Sequence, residues 1–145
     1  MKKLILCAAI GWMAFQASAV EWLTDLPKAL AQAKKEHKQV LMDFTGSDWC
    51  PPCKALHKTV LESEAFEAYA KENLVLVVVD FPNHATQADE LKQANKALAT
   101  KFEIKGYPTV IVLDENGKEL SKSVGYGGEA AADFIAKLPK AKPAA

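Results

Sequence analysis

Trp49-Cys50-Pro51-Pro52-Cys53-Lys54 follows a short apolar run, Val40-Leu41-Met42-Asp43-Phe44, and the loop Thr45-Gly46-Ser47-Asp48. At a strand-to-helix junction, cysteines three positions apart place one sulfur at the helix N-terminus and the other one turn inside it. Unpaired N–H groups and aligned peptide dipoles favour negative charge at a helix start. Cys50 is therefore expected to ionise below the ordinary thiol range and to react as an accessible thiolate. A bridge between residues this close in sequence restrains little of an unfolded chain. The pair is expected to exchange disulfides and not to staple the fold.

Working outward, Cys53, Leu56 and Val60 recur at helical spacing, and Glu64 to Tyr69 continues that helical stretch. Proline is tolerated in a first helical turn because its missing N–H would find no partner there. Upstream, Leu26, Ala29, Leu30 and Ala33 predict a helix to about His37, opened by Asp25 and Pro27. Val40 to Phe44 reads as a central buried strand. Leu74 to Val79, apolar throughout and mostly β-branched, reads as a second strand near the middle of the sheet. Phe81-Pro82-Asn83 breaks that run, and Ala88, Leu91, Leu98 and Phe102 mark one face of a long helix. Thr109 to Leu113 and Leu120 to Val124 form an antiparallel hairpin around Asp114-Glu115-Asn116-Gly117, where Asn-Gly is the turn signal. Phe134, Ile135 and Leu138 supply the buried stripe of a last helix. The alternation predicts an α/β fold, a mixed sheet with helices on both faces.

A chain of 145 residues suits one compact core. Residues 1–19 read as a signal peptide: Lys2-Lys3, an apolar stretch from Leu4 to Phe15, and Ala17-Ser18-Ala19 as the cleavage signal. The apolar stretch falls short of the roughly 20 residues that span a bilayer. Residues 20–138 then form the domain and 139–145 a disordered tail, in a protein expected to be periplasmic or secreted. Cys7 leaves with the leader, so Cys50 and Cys53 remain in a compartment where disulfides persist. Of 18 basic and 18 acidic residues, loss of Lys2 and Lys3 leaves 16 basic. Every basic residue is lysine, and without arginine the bidentate reader of phosphate and guanine is missing, which argues against nucleic-acid binding.

The Trp49-Cys50-Pro51-Pro52-Cys53-Lys54 stretch, together with Gly106-Tyr107-Pro108-Thr109, resembles the thioredoxin superfamily over about residues 26 to 138. Lys38 to Phe44 and Lys58-Thr59-Val60-Leu61 are similar to exported thioredoxin-like proteins related to the C-terminal domain of transmembrane thiol:disulfide interchange reductases. The resemblance implies a thioredoxin fold and a protein thiol-disulfide oxidoreductase with no cofactor beyond its redox disulfide. Cys50 would attack a partner disulfide and Cys53 would resolve the mixed disulfide. Asp43 matches a buried strand aspartate that helps deprotonate the second cysteine. Pro108 would be a cis-proline beside Cys50, exposing the backbone of Tyr107 to an extended partner segment, with Trp49 as a contact residue. Implied partners are protein disulfides and a protein electron donor such as a membrane thiol:disulfide reductase, met by a monomer with no membrane span.

Three departures qualify the resemblance. The segment from Asp43 to Cys50 is one residue longer than in conventional thioredoxins, and the lysine those proteins carry in the next strand is absent from Leu74 to Val79. Pro51-Pro52 stands where they have Gly-Pro, which leaves one fewer first-turn donor for the Cys50 thiolate and predicts a reducing or intermediate potential. Rival readings are a disulfide oxidase or isomerase, and a copper or zinc carrier using Cys50, Cys53 and His57, with His84 as a fourth ligand. No second C-x-x-C pair supports a metal site, and Lys54 breaks the C-x-x-C-H haem pattern. His37, His57 and Asp48 read by default as surface residues.

Overall fold

The computed structural model describes residues 19–141; the leader expected at 1–19 falls almost wholly outside them. The elements are β1 (Trp22–Leu23), α1 (Leu26–Glu36), β2 (Gln39–Thr45), α2 (Pro51–Leu56), a π-helical turn (His57–Leu61), α3 (Glu64–Asn73), β3 (Leu74–Asp80), α4 (Asp89–Lys101), β4 (Thr109–Leu113), β5 (Glu119–Val124) and α5 (Ala131–Lys137). The strands form one sheet in the order β1-β3-β2-β4-β5. β3 runs parallel to β1 and β2, whereas β4 is antiparallel to β2 and β5. The predicted thioredoxin fold is therefore present.

β2 is the central strand, and each of its residues is buried. Val40, Met42 and Phe44 pack with Val75, Val77, Val79 and Ile111 beneath Leu26, Ala29 and Ala33 of α1. On the opposite face Leu41, Leu76, Val110 and Val112 meet Leu56, Val60, Phe66, Ala70 and Phe134 from the α2, α3 and α5 side. Removing apolar surface from water on both faces, at roughly 25 cal/mol per Å², stabilises such a strand without any polar side. β3 lies one place off centre, between β2 and β1. β1 gave no sequence signal because two residues are too few to show an alternation.

The helix expected to continue from Cys53 to Tyr69 is broken. The Glu62 N–H reaches back to the His57 carbonyl at 2.9 Å, widening the last turn, and the chain restarts at Ser63. The Ser63 hydroxyl accepts from the Phe66 N–H at 3.2 Å, while Glu64 and Glu67 favour the positive end of α3. α1 opens as predicted, with Asp25 accepting from the Lys28 N–H at 2.9 Å. In the β4–β5 hairpin Gly117 takes a positive φ of 85°, and Asp114 Oδ1 accepts from the N–H groups of Asn116 and Lys118. Past Leu138, the Gln39 side chain donates to the Lys140 carbonyl at 3.3 Å, holding the chain beside β2 beyond the boundary expected at 138.

Candidate active site

From the end of β2 the chain turns tightly into α2. The Cys50 N–H donates to the Gly46 carbonyl at 2.9 Å, and the Lys54 N–H donates to the Cys50 carbonyl at 3.1 Å. Cys50 is thus the residue before the first helical turn, with extended backbone, and Pro51 and Pro52 open the helix. Cys50 and Cys53 are joined by a disulfide, their Cα atoms 5.3 Å apart. The two residues are only 3% and 2% exposed. This is the oxidised form, in which both sulfurs are bonded, so the thiolate expected at Cys50 belongs to the reduced protein.

Asp43 lies in β2 two residues from Leu41, so strand alternation gives it the parity of the sheet face that packs against α2. It is 2% exposed, and among the described residues its Oδ1 has no hydrogen-bond partner. Burial, which penalises the charged form, pushes its carboxyl up to about 7, and the negative charge of Asp80 adds to the rise. Such a group can take or give a proton near neutrality. β3 also ends later than expected: Asp80 pairs with Thr45 in register, two residues along from the Asp43–Val78 pair. Conventional thioredoxins carry a lysine in this strand; here a carboxylate occupies the same face as Asp43.

Two loops flank the disulfide and are bonded to each other. Asp80 accepts from the Ser47 N–H at 3.0 Å and the Ser47 hydroxyl at 2.5 Å. The Asp80 carbonyl receives Nδ2 of the buried Asn95 at 2.9 Å. The Asp48 carboxylate accepts from three consecutive backbone N–H groups, of Asn83 (2.9 Å), His84 (2.7 Å) and Ala85 (2.8 Å). These donors, Asn83 foremost, hold its carboxyl down to about 2. Trp49 Nε1 donates to the Phe81 carbonyl at 2.7 Å. Its ring meets Tyr107 edge-on at 5.8 Å between centroids, and Tyr107 lies 5.4 Å from Phe81. The Tyr107–Pro108 peptide is cis. A Cβ at Gly46 would come within 2.4 Å of the Trp49 indole, so this close approach requires glycine.

The thioredoxin-like domain family matches residues 26–142. This chain belongs to that family. "Disulfide bond reductase DsbH" of Chlamydia pneumoniae is 32% identical over 125 residues, 86% of this chain and 74% of the relative. "Thiol:disulfide interchange protein DsbD" of Actinobacillus pleuropneumoniae is 32% identical over 116 residues, 80% of this chain but 18% of that longer protein. The solved structure of "DsbH Oxidoreductase" superposes with a TM-score of 0.77 at 29% identity, over 94% of this chain and 90% of that one. The oxidised C-terminal domain of DsbD from Neisseria meningitidis gives 0.58 at 26% identity, covering 80% of this chain and 95% of that one. The chain is a thiol-disulfide oxidoreductase of the Dsb type, with Cys50 and Cys53 as its C-x-x-C pair.

Of the residues singled out by sequence for this thioredoxin-like site, Cys50, Cys53, Trp49, Tyr107 and Pro108 converge through the disulfide, the Trp49–Tyr107 contact and the cis peptide. Asp43 lies in the central strand on the face that packs against α2. His57 turns to Glu62, its Nδ1 3.1 Å from the carboxylate, and the His84 N–H is held by Asp48. Among the described residues no group of three or more His, Cys, Asp or Glu side chains is gathered to hold a metal. Among them, too, no helix is long and apolar enough to cross a membrane. Sequence reading treats Asp48 as an exposed loop carboxylate able at most to bias partner choice by charge, and misses Asp80 and Phe81 as parts of the site. The hydrogen bonds that join them to the active-site loop span more than thirty residues, and no local spacing encodes such a pairing.

Proposed function

We propose that this protein is an exported reductant of protein disulfides, released by cleavage near Ala19 and recharged by a dithiol protein such as a membrane thiol:disulfide reductase. The observation that carries the direction is the start of α2. Pro51 and Pro52 occupy its first positions, so neither donates an N–H toward a Cys50 thiolate. A thiolate with fewer donors is less stabilised, which favours the oxidised enzyme and makes the dithiol the better reductant. The name of the DsbH relative supports the same direction.

In this reading an extended partner segment lies along Tyr107 beside the cis Pro108, with Trp49 against its side chains. The Cys50 thiolate attacks one partner sulfur, forming a mixed disulfide and expelling the other partner sulfur as a thiolate. Cys53 loses its proton to the Asp43 carboxylate and attacks Cys50 Sγ. The Cys50–Cys53 bond forms as the bond from Cys50 to the partner sulfur breaks, the partner leaves with both sulfurs as thiolates that take protons from Asp43 and water, and two electrons have passed to it. Burial keeps Asp43 protonatable near pH 7, where an exposed aspartate would already be fully ionised.

Equilibration of the purified domain with thiol–disulfide buffers tests the direction. A midpoint near that of thioredoxin, about −270 mV, is expected; one near the strong oxidant DsbA, about −120 mV, contradicts it.

A further inference from the structure

The segment from Asn83 to Thr86 crosses from β3 to α4 beside the active site, and among the described residues its hydrogen bonds to the rest of the fold all run to Asp48. Three consecutive N–H groups converging on one carboxylate curl the backbone around that anion and satisfy donors that would otherwise point at water. The same segment follows Phe81, whose carbonyl receives the Trp49 indole and whose ring packs on Tyr107. Asp48 and Trp49 are neighbours in sequence, so adjacent residues fasten the two loops at two points. Trp49 is 39% exposed beside Cys50 and its ring meets Tyr107 edge-on.

We propose that Asp48 is a positioning residue for partner binding: by fastening Asn83, His84 and Ala85 to the active-site loop it sets Phe81, and through it Trp49 and Tyr107, before a partner arrives. The proposal rests on the reading that protein disulfides dock across Trp49 and Tyr107. A wall built in advance spares a polypeptide the ordering cost of assembling it on contact. A small disulfide, which touches little beyond the sulfurs, gains much less. Loss of the clamp should therefore separate the two substrate classes and should act through KM. The three N–H groups also take up the Asp48 charge, so the carboxylate sits two residues from Cys50 with its charge already partnered.

The test compares wild type, Asp48→Ala and Asp48→Asn in reduction of insulin and of hydroxyethyl disulfide with dithiothreitol as donor, alongside amide exchange at residues 83–85. In Asp48→Ala those amides should exchange faster, and kcat/KM for insulin should fall roughly tenfold more than for the small disulfide, chiefly through KM. Asp48→Asn keeps one acceptor oxygen and should fall between the other two. If the alanine variant does not fold, the asparagine variant carries the same comparison. Equal losses on both substrates, or unchanged exchange at 83–85, overturn the clamp in an otherwise active protein. A wild-type protein unable to reduce insulin overturns the docking reading itself, and the clamp with it.

Discussion

Replacing Asp43 by asparagine should stabilise the oxidised protein, and by an amount that grows with pH. The carboxyl is raised from 3.8 in the unfolded chain to about 7 in the fold, a little over three units. At 1.36 kcal/mol per unit, the ionised side chain destabilises the native state by about 4 kcal/mol once the pH exceeds 7. The sign follows from proton counting. Between pH 3.8 and 7 the folded protein holds a proton that the unfolded chain has released, so stability falls as pH rises through this window and is flat outside it. By pH 5 less than half of that loss has been incurred. Asparagine keeps the shape and never ionises. The advantage of Asp43→Asn over wild type should therefore widen by about 3 kcal/mol between pH 5 and pH 8.5. Guanidinium unfolding of both oxidised proteins at these two pH values measures it directly. An advantage that stays the same at both, or narrows, would show that Asp43 titrates as an ordinary aspartate and would remove the proposed proton acceptor for Cys53.

Asp80→Asn removes a negative charge that pushes Asp43 further upward, so the Asp43 carboxyl should titrate below 7 in a carbon-detected NMR titration; a rise would refute the like-charge coupling. Gly46→Ala places a methyl where the Trp49 indole lies, and should lower stability by about 1–3 kcal/mol while shifting tryptophan emission. Phe66 is fully buried, and its ring meets Phe134 at 6.1 Å between centroids. Phe66→Ala should cost about 3–5 kcal/mol in denaturant unfolding without moving the reduction potential.

The parts of the molecule legible in the sequence are those encoded locally. β2 and β3 announce themselves because both faces are covered, leaving continuous apolar runs at Val40 to Phe44 and Leu74 to Val79. The C-x-x-C spacing, taken with the distant Tyr107-Pro108-Thr109, marks the redox pair, and the Asn-Gly turn declares its hairpin. Misreadings arose where a short polar signal overrides a periodic one. Ser63 restarts a helix in a stretch whose apolar spacing looks continuous, because capping depends on one hydroxyl and not on the pattern around it. Asp48 and Asp80 look like exposed acids when read in line. Only the pairing of β2 with β3 brings their loops together, converting two surface charges into the joints of the active-site rim. The raised carboxyl of Asp43 was foreseeable in kind, since a charged residue inside an apolar strand must be buried or functional, but its coupling to Asp80 depends on register.

Incubating the Cys53→Ala variant with a disulfide-bonded protein and mapping the adduct by mass spectrometry addresses the division of labour between the two sulfurs. A stable intermolecular bridge at Cys50, dissolved by dithiothreitol and absent from Cys50→Ser, is the result expected of a nucleophile deprived of its resolving thiol. A variant that forms no adduct while remaining folded would contradict the role assigned to Cys50.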